Sequence, residues 1–195
     1  ILFSYSAVIP WTLLASSVTD MATSLVHNMN LVGKIYFPRE ALPVAALLAR
    51  LVDFLISFIL LVILMLFYRI PFSPQGLLFL PLILLIQMAL ILGLGIGSAA
   101  LNVFYRDVDH LLKLVIQVWF YASPMLYPLS LVPEQWKWLY FLNPMSGIIA
   151  SYRDVLVYSR VPGDYLWSAA GISALIFIAG VWFFKRVEYQ FADIV

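Results

Sequence analysis

LWSAAGISALIFIAGVWFF, residues 166–184, carries no charge over its whole length, and its only polar side chains are Ser168 and Ser173. At 1.5 Å per residue such a stretch makes a helix of about 28 Å, close to the ~30 Å hydrocarbon core of a bilayer. A helix on a soluble domain keeps a charged or polar face. This one has none, and it reads as a membrane span. Four more stretches are apolar over comparable lengths: residues 2–26, 42–67, 77–101 and 111–127. The first is the most polar, with Ser16, Ser17, Thr19, Asp20, Thr23 and Ser24, so its far end is expected to face protein or water. The fold class expected is an all-α integral membrane protein with five transmembrane helices, forming one domain over residues 1–195.

Composition agrees. Of 195 residues, 64% are hydrophobic, 16% aromatic and 11% charged, against about 45–50% apolar and about 25% charged in soluble domains. Mean hydropathy is +1.00. A soluble core of this size needs a charged shell that so few Lys, Arg, Asp and Glu cannot build. The formal net charge of +1 gives no reason to expect nucleic acid as a partner. Cysteine is absent, which excludes disulfides, thiolate metal sites and thiol nucleophiles. The chain opens at Ile1 inside an apolar stretch, without the basic segment and small-residue cleavage site of a signal peptide, and reads as continuing upstream. One further span there would make six, with both ends cytoplasmic.

Charge in the loops orients the bundle. Residues 27–43 carry Lys34 and Arg39, the third loop carries Arg106 and the tail carries Lys185 and Arg186. With alternating spans these share one side, which the positive-inside rule places in the cytoplasm, reinforced by Arg50 and Lys113 near helix ends. Arg69, Lys137, Arg153 and Arg160 then lie outside, as does Ile1. The segment 128–164 is too long for a turn and too apolar for a free loop, so two short helices are expected there, re-entrant or interfacial at the outer surface. Trp136, Trp138 and Tyr140 suit the headgroup layer.

Among motifs, the phosphate-binding GxxxxGK[ST] is absent, so ATP must be handled by another chain. Gly93, Gly95 and Gly97 lie inside a span and follow no strand, which points to close helix packing rather than a nucleotide loop. His27 and His110 stand far apart, and no metal site or catalytic residue is expected. Arg50 and Asp53, three apart on one helix face, read as a neutralised pair near the cytoplasmic edge, with a groove or pathway role as the alternative. In residues 30–43, NLVGKIYFPREALP, apolar residues interleave with charges and Pro38 opens the next helix. Such an amphipathic cytoplasmic segment suits the lipid interface or the groove of a partner.

That segment, together with LNVFYRDVDHLLKLVIQVWFYASPMLYPLSLVPEQWKWLYFLNPM (residues 101–145) and the tail FFKRVEYQFADIV (183–195), closely resembles the membrane subunit of ABC-2 type polysaccharide exporters. The nearest resemblance is to the O-antigen and teichoic-acid permeases, and it runs in order along almost the whole chain. It implies a six-span permease in the bacterial inner membrane, paired with a second copy of itself. It further implies a separate ATPase dimer that supplies ATP and Mg, and a polyprenyl-pyrophosphate-linked glycan moved outward.

On this resemblance, residues 27–43 form the coupling loop, with Asn30, Lys34, Tyr36, Phe37, Pro38, Arg39 and Glu40 at the ATPase. The segment 128–164 holds the outer gate, with Trp136, Trp138, Tyr140, Asn143 and Pro144. Gln117, Trp119, Phe120 and Tyr121 line the glycan path, since aromatic rings offer flat faces to sugars. Gln117 and Tyr121, one turn apart, share a face. The rival readings are an ABC-2 permease for a drug or lipid, and a membrane transferase using Asp107, Asp109 and His110. For the last, nearby Arg106 makes a salt-bridged start of a helix the simpler account.

Overall fold

The computed structural model describes residues 2–32, 38–69, 73–125 and 134–191. It is mostly helical over them, with no strand among the described residues. In chain order the helices are α1 (Leu2–His27), α2 (Met29–Val32), α3 (Ala41–Phe67), α4 (Pro74–Leu77), α5 (Leu80–Phe104), α6 (Val108–Ala122), α7 (Glu134–Tyr140), α8 (Pro144–Leu156) and α9 (Tyr165–Val187), and a 3-10 turn follows at Glu188–Gln190. Among the described residues, four segments are long and apolar enough to cross a membrane: Leu2–His27, Ala41–Phe67, Pro74–Phe104 and Tyr165–Gln190. The protein is an all-α, multi-pass membrane protein.

The fourth expected span differs. Residues 111–127 were expected to cross, but α6 has 15 residues and stops at Ser123, giving about 22 Å of helix against ~30 Å of hydrocarbon. Ser123 is extended, at φ −105° and ψ 154°, and ends the helix before it reaches span length.

Side-chain contacts fix the direction of each helix. In α5, Gln87 donates to the Pro10 carbonyl at 2.7 Å and Asn102 donates to the Ala22 carbonyl at 3.0 Å. Both partners advance together, so α1 and α5 run parallel. Buried amides are tolerated here because each finds a backbone acceptor on the neighbouring helix. Gly93 and Gly180 meet back to back, and Phe104 lies 5.6 Å from Phe191, so α5 and α9 are parallel too. A Cβ on Gly93 would come within 2.5 Å of the Ile176 carbonyl oxygen; the glycines of the third span serve close packing, as expected. Asp20 of α1 meets Arg50 of α3, which makes α3 antiparallel to α1. The alternation expected from the sequence is what the long helices have, with the short α6 carrying the chain from the Phe104 end to the Met125 end between the parallel α5 and α9.

One end of the bundle therefore gathers Arg39, Glu40, Tyr105 and the Lys185–Phe191 stretch, and the other gathers Phe3, Gly76, Met125 and Arg160. Burial sorts the helices between protein and lipid. On α3, Val52, Ile56, Ile59, Ile63 and Leu66 are open, while Leu47, Phe54, Leu61 and Met65 are buried. All of α8, Pro144–Leu156, is buried.

Candidate functional site

The short helices sit where the sequence placed its outer gate, and they come out unlike each other. On α7, Trp136 and Trp138 are exposed, which suits an interfacial helix. By contrast α8 is re-entrant, because its backbone is covered by α1, α5 and α9 instead of lipid. Asn143 and Pro144 build its start: the Asn143 carboxamide oxygen accepts from the Met145 N–H at 3.0 Å, and Pro144 at the first helical position needs no partner for a nitrogen that carries no hydrogen.

The same carboxamide ties α8 to α6. Trp119 Nε1 donates to Asn143 Oδ1 at 2.9 Å, and Asn143 Nδ2 donates to Ser123 Oγ at 2.9 Å. Ser123 in turn donates to the Trp119 carbonyl at 2.9 Å, closing the network. Beside it opens a cleft of about 330 Å³ lined by Trp119, Ala122, Trp136, Tyr140 and Asn143. Residues assigned separately to the path and to the gate thus meet in one place. Two indoles, a phenol and an amide supply flat apolar faces and polar edges, a chemistry matched to polyhydroxylated rings. A second, more open cleft of about 530 Å³ lies on the other side of α7, where Phe141 and Tyr165 stack at 5.1 Å beside Trp138, Asp164 and Ser168.

The path residues divide. Trp119 and Phe120 turn inward onto Trp11 of α1, with ring centroids 5.9 and 5.5 Å away. Gln117 and Tyr121 are exposed on the opposite face, among Leu114 and Val118. Both groups follow from the 3.6-residue helical repeat, which puts 117 and 121 together and turns 119 away. Trp11 was missed as the partner of that inward pair, though it is the single tryptophan of the first span.

Arg153 and Asp154 were missed as well. Counted as an outer loop charge, Arg153 is in fact buried in α8, 3% exposed. Its guanidinium lies 3.7 Å from the Phe3 ring centroid and donates to the Met125 carbonyl at 2.8 Å. Asp154 accepts from Arg160 at 2.6 Å. The available signal was a charged pair inside a helix that Asn143 and Pro144 plainly start, followed at short range by a second arginine.

At the other end, Lys34, Tyr36 and Phe37 lie outside the described residues. Asn30, in α2, and Pro38 are exposed. Arg39 donates to the Glu188 carbonyl and lies 5.7 Å from the Phe191 ring centroid. Glu40 accepts from Lys185 at 2.8 Å, and that ammonium holds the Glu40 carboxyl below its ordinary pKa. The loop is thereby fastened to the end of α9. Arg50 reaches Asp20 at 2.5 Å as well as Asp53 at 3.0 Å, so it bridges two helices where the sequence predicted one local pair. Asp109 pairs with Lys113 at 2.7 Å, an i,i+4 bridge that gives it a structural role. Among the described residues no cluster of His, Asp and Glu could hold a metal.

The chain is thus a bundle of long apolar helices, with two short helices at one end and a fastened loop at the other. The family model described as ABC-2 type transporter matches residues 6–157, and the chain belongs to that family. It is similar to an O-antigen export system permease protein RfbA of Klebsiella pneumoniae, 28% identical over 192 residues, covering 98% of this chain and 74% of that relative. It is also similar to a protein of the same name from Myxococcus xanthus, 28% identical over 194 residues with 98% and 74% covered.

Proposed function

We propose that this chain is the permease subunit of an ABC exporter that moves a lipid-linked polysaccharide outward across the bacterial inner membrane. The observation that carries this reading is the likeness to proteins named O-antigen export permeases along 98% of the chain. The aromatic cleft at Trp119, Trp136 and Tyr140 supports it chemically. The end bearing Arg39, Lys185 and Arg186 is cytoplasmic by its positive charge, so the cleft opens outside.

The chain works as a homodimer with two copies of a separate ATPase, which bind ATP and Mg. The exposed Gln117–Tyr121 face of α6 borders the second copy and the glycan conduit between them, while the open face of α3 meets membrane lipid. The loop 27–43 docks in the ATPase. Because Arg39 and Glu40 fasten it to α9, a push at the loop reaches α3 and α9 together.

Complementation tests the reading. In a strain lacking its own O-antigen export permease, the full-length protein expressed with its cognate ATPase should restore surface polysaccharide, and Phe37→Ala should abolish it without loss of membrane insertion. Failure to restore glycan, with export of a drug or lipid by the same pair, selects the rival substrate class.

A further inference from the structure

The open face of α9 runs on past the apolar layer of the bilayer. Gly171, Leu175, Ile178 and Trp182 recur at helical spacing and are all exposed. Arg186 follows one turn after Trp182, and Tyr189 three residues later in the 3-10 turn, both exposed as well. The uncharged stretch 166–184 ends two residues before Arg186. Its guanidinium therefore lies where hydrocarbon gives way to lipid phosphates.

The two cations at the end of α9 are unlike each other. Lys185 is engaged within the protein, on Glu40 at 2.8 Å and Glu188 at 3.2 Å. Arg186 takes no carboxylate among the described residues, and its guanidinium lies 5.2 Å from the Trp182 ring centroid. That cation–π contact restricts the guanidinium and leaves its charge uncompensated. A planar fork held in this way matches the two free oxygens of a phosphodiester. Trp182 and Tyr189, on either side, carry an N–H and an O–H that can donate to the same headgroup.

We propose that Trp182, Arg186 and Tyr189 bind the phosphate of an anionic phospholipid on the open face of α9. Charge complementarity selects this occupant, and so does continuity with the aliphatic stripe. The acyl chains lie along Leu175 and Ile178 while the phosphate meets Arg186. A lipid such as phosphatidylglycerol brings a net negative charge to the guanidinium. In phosphatidylcholine the choline cancels that charge. The site stands apart from the glycan reading above.

Native mass spectrometry tests it on the full-length permease with its ATPase, in micelles containing dioleoyl phosphatidylglycerol or dioleoyl phosphatidylcholine. The lipid retained by this chain is read from its mass. The parent should retain phosphatidylglycerol in preference to phosphatidylcholine. Arg186→Gln should weaken phosphatidylglycerol binding about fivefold, the contribution of one basic residue at an anionic membrane surface, and leave phosphatidylcholine unchanged. Arg186→Lys keeps the charge but not the fork, and should recover less than half of the loss. Trp182→Leu, which removes the platform, should weaken binding by a smaller factor than Arg186→Gln. Arg106→Gln, at an exposed arginine of the same end, should change nothing.

Four results overturn the site. Equal retention of the two lipids, or no loss in Arg186→Gln, would leave it without a ligand. Full retention in Arg186→Lys would reduce it to a snorkelling charge. An equal loss in Arg106→Gln would make the effect one of diffuse surface charge. Displacement of phosphatidylglycerol by inorganic phosphate at the same concentration would overturn the lipid as occupant, because the free anion would then suffice. Failure of export with this binding pattern intact counts against the functional reading alone.

Discussion

The two ends of the bundle are held together by opposite means. At the tail end, Glu40 and Lys185 pair with side chains 36% and 50% exposed. At the α8 end, Arg153 is 3% exposed and its partners include an aromatic ring and a carbonyl. Exposed pairs contribute about 0–1 kcal/mol, because water competes for both charges. A buried charge separated from its partners costs about 3–5 kcal/mol. The tail end can therefore exchange its contacts for those of another protein at little cost. The α8 end cannot, except at the neutral hydrogen bonds of Asn143.

The largest expected effect is all-or-none and concerns which end faces which compartment. With an impermeant reagent, cysteines placed at Arg69 and Lys137 should label from outside, and those placed at Arg106 and Lys185 from the cytoplasm. Labelling at 69 from the cytoplasmic side alone would reverse the comparison. Next in size is Arg153→Met, which keeps much of the bulk but strips the guanidinium from the Met125 carbonyl. We expect a loss of about 1–3 kcal/mol from the carbonyl left unpaired, read as a lowered thermal midpoint in detergent. A loss below about 1 kcal/mol would mean that the α8 end is not specially secured. Asn143→Ala removes a helix cap together with the acceptor of Trp119, and should cost about 1–2 kcal/mol. Asn143→Asp keeps the cap acceptor and should recover at least half of that.

Much of this contrast was legible in the sequence, and the illegible part has a physical reason. Hydropathy found α3, α5 and α9 because a lipid-facing helix must be apolar on its own. It overextended α6, because apolar residues continue past Ser123 while the backbone turns there. Charge alternation predicted that the loop at Arg39 and the tail at Lys185 share an end, which they do at 2.8 Å through Glu40. Composition alone could not separate α7 from α8, since a buried re-entrant helix and an interfacial one can hold the same residues. Their difference lies in which neighbours cover them, and that is long-range information. The Trp119–Asn143 bond spans 24 residues, so no local pattern encodes it.

The smallest expected effect is at the tail end, and its sign can be worked out. Lys185 holds the Glu40 pKa below its ordinary value, so the folded state binds this proton less readily than the unfolded chain. Stability from the pair is then fully present above the ordinary carboxylate pKa and is lost as pH falls through the lowered folded value. With both side chains more than a third exposed, the loss should stay within about 1 kcal/mol. Glu40→Gln at neutral pH should reproduce it, and Lys185→Met should remove this part of the pH dependence. Thermal midpoints recorded from neutral pH down to about pH 3 would follow the Glu40 titration. If Lys185→Met left the acid-induced loss unchanged, the pair would contribute nothing, and Arg39 on Glu188 and Phe191 would be the whole fastening of the loop to α9. If the loss instead reached several kcal/mol, the tail end would be as firmly secured as the α8 end. The loop would then be a rigid part of the bundle, unable to trade its contacts for those of an ATPase.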